Sequence, residues 1–159
     1  MTDPTRLIFP DLGQLYQALA PWTEVLLRVV VGLALVPHGL RNTLGLWPST
    51  GVRSHNVTEL AQQLENDGYR PGKFWALAIS LTQLVGGPLL ALGLFTRPAA
   101  LAIVIFLIVA NYERWCVGGY FWNKTGLEYT LMWAVAALYF LVHGGGAISA
   151  DHLLIGREF

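Results

Sequence analysis

The sequence predicts an all-α integral membrane protein: an antiparallel four-helix bundle with a short N-terminal interfacial helix and a loop helix between spans one and two. Three observations predict it. Charged residues make up 13% of the chain and hydrophobic residues 54%, where soluble domains carry about 25% charged residues. Residues 74–96 and 129–150 contain no Asp, Glu, Lys or Arg, and a helix needs roughly 20 apolar residues to cross a bilayer. Short polar or Gly- and Pro-rich connections join these runs, so successive spans must run antiparallel.

The elements follow in order. Residues 1–20 form an N-terminal arm and amphipathic helix, and residues 21–159 form the bundle. Asp11 can cap the first helix. Leu12, Leu15, Tyr16 and Leu19 then make one apolar stripe, the pattern of a helix lying on the bilayer surface or of a docking surface. Pro21 suits the first turn of a new helix. The first span, about 22–44, carries Glu24 and Arg28 one turn apart and able to pair. Pro37 removes one helical hydrogen bond and predicts a kink. His38, Arg41 and Asn42 follow it.

In the long 46–72 connection, Asn56 and Glu59 have the spacing of a capping box. Val57, Leu60, Ala61 and Leu64 make an apolar stripe behind them, predicting a short helix over one mouth of the bundle. The second span, about 73–95, holds Gln83 near its middle and then Gly86, Gly87 and Pro88. Such small residues let membrane helices approach closely. A Thr96-Arg97-Pro98 turn leads into a third span, about 99–113. An aromatic loop, Trp115 to Lys124, has the composition of an interfacial belt. The fourth span, about 127–143, ends at His143 and three glycines.

Antiparallel spans sort the polar residues to two ends. End A holds Glu24, Arg28, Arg97, His143, Ser149, Asp151 and His152. End B holds His38, Arg41, Asn42, Asn111, Glu113, Arg114, Glu128 and Tyr129. His38 and His143 therefore fall at opposite ends and cannot clamp one haem iron. The end-A set reads as a structural ion pair of Arg28 with Glu24 or Asp151, or as an anion site. The end-B set reads as a small-molecule site (His38, Arg41, Asn111, Arg114, Glu128, Tyr129) or as an ion-pair network tying helix ends together. His38 and Glu128 are the candidates for proton transfer.

Net charge is zero, so no basic surface points to nucleic acid. The single cysteine, Cys116, rules out an intramolecular disulfide and any multi-cysteine zinc or iron–sulfur site within the chain. No metal site is expected.

Several pieces in order resemble the DoxX family of small four-helix bacterial membrane proteins, over about Leu26 to Leu154. They are Arg28, His38-Gly39-Leu40, Leu64 to Tyr69, Gln83 to Gly87, Gly93 to Ala100, Gly118 to Phe121 with Glu128-Tyr129, and Ser149 to Asp151. Gln83 stands where the family commonly has an acidic residue, and Tyr112 or Glu113 stands near an expected histidine. The resemblance implies a bacterial inner-membrane protein, related to the DoxD-type subunit of thiosulfate:quinone oxidoreductase.

Three functions are compatible with these features. One is the membrane subunit of a quinone-linked redox complex, with no redox centre of its own. Its partners would be the lipid bilayer and other protein subunits, or further copies of itself. The second is a non-catalytic anchor or assembly subunit. The third is a small-solute transporter.

Overall fold

The computed structural model describes residues 8, 9, 11–47 and 54–156. Residues 1–7 and Pro10 of the expected arm lie outside these, as do residues 48–53 of the long connection. The described residues are helical and include no strand. Among them, three helices are long and apolar enough to cross a membrane: Leu12–Leu44 (α1), the composite Gly72–Leu92 and Thr96–Gly118.

The expected break at Pro21 is absent. α1 is one helix of 33 residues with Pro21 and Pro37 inside it, about 50 Å long. Pro21 leaves the Gln17 carbonyl without its helical donor. This lies in the first turns of α1, where Leu12, Leu15, Tyr16, Leu19 and Trp22 are exposed; there solvent or headgroups can satisfy a carbonyl and the helix need not stop. Arg28, Gly32, Leu35, Gly39 and Asn42 form the buried stripe of α1. Leu26, Val30 and Leu33 are exposed on its other side, as a lipid-facing surface requires.

Val57–Asn66 is the loop helix, α2. It starts at the predicted Asn56 cap: the Glu59 amide donates to Asn56 Oδ1 at 2.8 Å, while the reciprocal bond to Glu59 Oε1 comes from the Asn56 side-chain amide, at 2.9 Å. Glu59 Oε2 also accepts from the His55 amide at 2.8 Å. Its buried face, Leu60 and Ala61, packs on Ala76 of the next helix.

That helix, Gly72–Leu81 (α3), passes into a π-helical turn, Thr82–Gly86, and then Gly87–Leu92 (α4). The Gly87 amide reaches back five residues to the Thr82 carbonyl. The extra residue resets the ladder just ahead of Pro88, which then sits at the start of α4 where no amide proton is required.

α4 crosses α1 at a glycine pair. A Cβ on Gly32 would stand 2.3 Å from the Gly87 carbonyl oxygen, and a Cβ on Gly87 would stand 2.6 Å from that of Gly32. α4 ends at Gly93, whose φ of 71° favours glycine, and Leu94 donates back to Leu89 at 2.9 Å.

Thr96–Gly118 (α5) is longer than the expected 99–113 span. No helix breaker intervenes before Gly118-Gly119, so Trp115, expected in the loop, lies on the helix. Glu128–His143 (α6) packs on α5 more extensively than any other pair of helices meets. The main core gathers Val31, Leu35, Leu90, Ile103, Leu107 and Phe140 from α1, α4, α5 and α6. A second π-helical turn, Asp151–Ile155, closes the described chain.

Candidate functional site at end B

Two polar assemblies form, one at each end of the helices. End A is a structural knot. Arg28, 2% exposed, donates to the carbonyl of Gly145, to that of Ile148 at 2.8 Å and to that of Ala91 at 3.4 Å. Asp151 is fully buried. It accepts from the Phe95 amide at 2.7 Å and from the Thr96 amide and hydroxyl at 2.8 Å each. It thus caps the N-terminus of α5 from the far end of the chain. Glu24 accepts from the Tyr139 hydroxyl at 2.9 Å.

The three residues of the expected ion pair do converge, with Asp151 and Glu24 acting on Arg28 through their charge. Their hydrogen bonds nevertheless go to backbone carbonyls, to amides and hydroxyls. Gly93 closes the knot: a Cβ there would lie 2.6 Å from the Arg28 guanidinium carbon. His143 stacks on Tyr139, with ring centroids 4.2 Å apart, and its Nδ1 donates to the Tyr139 carbonyl at 3.0 Å.

End B is more open. Pro37, His38, Arg41 and Trp47 line a cavity of about 370 Å³. Pro37 directly precedes His38 in α1, and the three-residue spacing of His38 and Arg41 puts them on neighbouring positions of one helix face. Arg114 of α5 acts electrostatically on both. Behind them, Arg41 Nη2 donates to Asn42 Oδ1 at 3.4 Å, and Asn42 Nδ2 donates to Gln83 Oε1 at 3.1 Å. Asn42 and Gln83 are both buried. The π-helical turn therefore carries a buried polar side chain to Asn42, the neighbour in sequence of Arg41, and such turns recur at functional sites.

Not every expected site residue reaches this cavity. Asn111 accepts from the Thr130 hydroxyl at 2.6 Å and so ties α5 to α6. Glu128 accepts from the Trp122 amide at 3.2 Å. Tyr129 lies against the Trp122 ring, with centroids 5.5 Å apart. These three belong to the α5–α6 hairpin, while His38 and Arg41 face the cavity under the field of Arg114. Among the described residues, no three His, Cys, Asp or Glu side chains gather closely enough to hold a metal ion.

Tyr69 was not among the expected site residues. Its hydroxyl donates to Glu113 Oε1 at 2.5 Å and joins the connection after α2 to α5. This bond, with some burial, pushes the phenol up to about 12 from its ordinary 10.0. A raised folded-state value means that the protonated phenol stabilises the fold. The contribution is complete below pH 10.0 and is lost as pH rises through about 12. In an alkaline titration followed by tyrosinate absorbance, Tyr69→Phe is expected to lack this late-titrating phenol. The connection should also exchange its amide hydrogens faster in that variant.

A DoxX family model matches residues 24–114, more than half of the chain. An uncharacterized protein of Haemophilus influenzae is 27% identical over 135 residues, covering 83% of this chain and 90% of that protein. No solved structure matches. The matched stretch begins at Glu24 and ends at Arg114, so it spans α1 from the knot to the cavity, the π-helical turn and the cation on α5. The chain belongs to the DoxX family of proteins.

Proposed function

We propose that this chain is a four-span antiparallel subunit of a redox complex in the bacterial inner membrane, holding a quinone-type molecule at end B. α6 serves as the fourth span: its 16 residues reach about 24 Å, and the uncharged sequence continues past His143. The observation that carries the reading is the end-B cavity, where a guanidinium and an imidazole stand beside a proline and an indole.

This donor set fits a quinone. Arg41 has N–H groups for a carbonyl oxygen, and Pro37 and Trp47 offer apolar surface to a ring. A bound quinone would supply an acceptor for two electrons and two protons. His38 can hold and pass a proton at a ring nitrogen. Arg114 adds positive potential where negative charge would develop. Asn111, Glu128 and Tyr129 act at the rim by fixing the hairpin that carries Arg114. Glu128 is the second candidate for proton delivery. Electrons come from a partner protein, a reading that draws on the family's resemblance-based relation to the DoxD-type subunit of thiosulfate:quinone oxidoreductase.

Tagging the chain, extracting native membranes in mild detergent and identifying co-purifying proteins by mass spectrometry tests the subunit role. A stoichiometric flavin-, haem- or metal-bearing partner is expected. A chain that emerges alone, or only with copies of itself, contradicts it.

A further inference from the structure

α1 is longer than the membrane it crosses. Its 33 residues reach about 50 Å, against about 30 Å of hydrocarbon and about 40–45 Å with the headgroup layers. The knot shows that the overhang is at end A. Glu24 accepts from Tyr139, and Arg28 donates to the Gly145 and Ile148 carbonyls. The end of α6 and the chain after it are therefore level with these two residues. Leu12 stands more than three turns earlier on α1, about 18 Å beyond Glu24.

The overhang is not built like an ordinary wet helix. α2 turns Thr58, Glu59, Gln62 and Glu65 outward and keeps its leucines covered. Residues 12–23 of α1 hold no Asp, Glu, Lys or Arg. Leu12, Leu15, Leu19, Trp22 and Leu26 follow one another at spacings of three, four, three and four, and all are exposed. That is the heptad seam along which one helix packs on another. Val30 and Leu33 continue the exposed side into the span.

The seam points away from the bundle. Leu19 and Arg28 are nine residues apart, as are Leu26 and Leu35, which is about two and a half turns. Arg28 and Leu35 belong to the buried stripe, so the seam runs along the opposite side of the helix. Pro21 stands two residues from Leu19, about 200° round the helix, and its ring leaves the seam clear.

We propose that the α1 seam pairs with the same seam of a second copy of this chain, forming a parallel dimer about a two-fold axis normal to the membrane. The bilayer favours this partner. Copies inserted the same way carry α1 parallel and at one depth, so each seam residue meets its own counterpart. With no charge in residues 12–23, self-pairing sets no like charges against each other. Lipid tails cover Leu26, Val30 and Leu33 as well as another helix does. They stop short of Leu12 and Leu15, whose removal from water drives the pairing. The pairing uses the side of α1 opposite the bundle and is independent of what end B binds.

Disulfide cross-linking of the full chain in its native membranes tests the pairing. Cys116, exposed and the only native cysteine, is replaced by alanine, and copper phenanthroline serves as oxidant. Single cysteines are introduced as Gln14→Cys, Leu15→Cys, Gln17→Cys and Leu19→Cys. All four positions are exposed, so these variants keep the fold. Leu15→Cys and Leu19→Cys should each give a covalent homodimer at about fivefold or more the yield of Gln14→Cys and Gln17→Cys, because the bond forms only between closely apposed backbones. Adding Leu15→Asp to Leu19→Cys should remove most of that dimer.

Equal yields at the four positions indicate random collision and overturn the seam, as does a homodimer at none of them. A cross-link from Leu15→Cys and Leu19→Cys to a different protein, without homodimer, overturns the second copy as the occupant. A Leu19→Cys dimer undiminished by Leu15→Asp overturns the overhang as the source of the pairing.

Discussion

Gly32→Leu is expected to keep α1 and α4 from docking and to leave little folded protein. A side chain at this position meets the Gly87 carbonyl, the Ala91 amide and the Ala91 Cβ, all within 2.8 Å of a single added carbon. Two of these are backbone atoms, so no rotamer change relieves the clash. The helices must separate, and the Leu35 and Leu90 contacts of the core separate with them. Overpacking a core usually costs 1–3 kcal/mol, and a backbone obstruction in both directions puts this variant at about 3 kcal/mol or more. Leu33→Ala is the control. Leu33 is the adjacent residue but is 51% exposed, and its loss should cost about 1 kcal/mol or less. Thermal unfolding and size-exclusion profiles in detergent compare the two. Equal behaviour would refute the close crossing.

Asp151→Ala should be the most damaging change at end A. It removes the acceptor for two backbone amides and a hydroxyl, all at the N-terminus of α5. It also removes the nearer in effect of the two acids that act on buried Arg28. Leaving a buried donor without its acceptor costs about 1–3 kcal/mol for each group so orphaned. Asp151→Asn keeps one acceptor oxygen and should recover part of the loss. Hydrogen exchange at the first turn of α5 separates this mechanism from general unfolding: the Phe95 and Thr96 amides should lose protection ahead of the mid-helix amides. A melting profile like that of the parent protein would contradict the cap.

Much of the fold is legible in the sequence because membrane helices announce themselves through missing charges. The run 74–96 needs only its length to be read as a span, while 98–112 is uncharged but shorter than a full crossing and reads as a span from its place between two others. The α2 cap was legible because its partners sit three residues apart. The path of α1 was less so. Pro21 has the look of a helix start, yet a carbonyl in the exposed first turns tolerates a missing donor, and α1 runs on. Gly-Gly-Pro signalled a bend and close packing, but the π-helical register ahead of it depends on which side chain must reach Asn42.

The two ends followed from counting antiparallel spans, which brought His38, Arg41 and Arg114 together and Arg28 near Asp151. Counting places residues at an end but does not choose their partners. Arg28 turns to backbone carbonyls, which every residue possesses, so nothing in the sequence marks Gly145 or Ile148 as acceptors. The Tyr69–Glu113 bond spans 44 positions and joins two elements whose relative placement only the packing decides. Asn111, Glu128 and Tyr129 were grouped with the cavity because they share its end. Their bonds within the α5–α6 hairpin depend on the loop geometry of Gly119 to Leu127.

Whether the cavity of His38 and Arg41 holds a quinone-type ligand is tested most directly by the quinone content of purified protein. The chain would be isolated from native membranes in mild detergent, its lipids extracted, and quinone quantified against protein for the parent, His38→Ala and Arg41→Gln. Close to one quinone per chain is expected in the parent, with a marked loss in both variants while their size-exclusion profiles stay monodisperse. Equal quinone in all three folded proteins, or none in the parent, would contradict it.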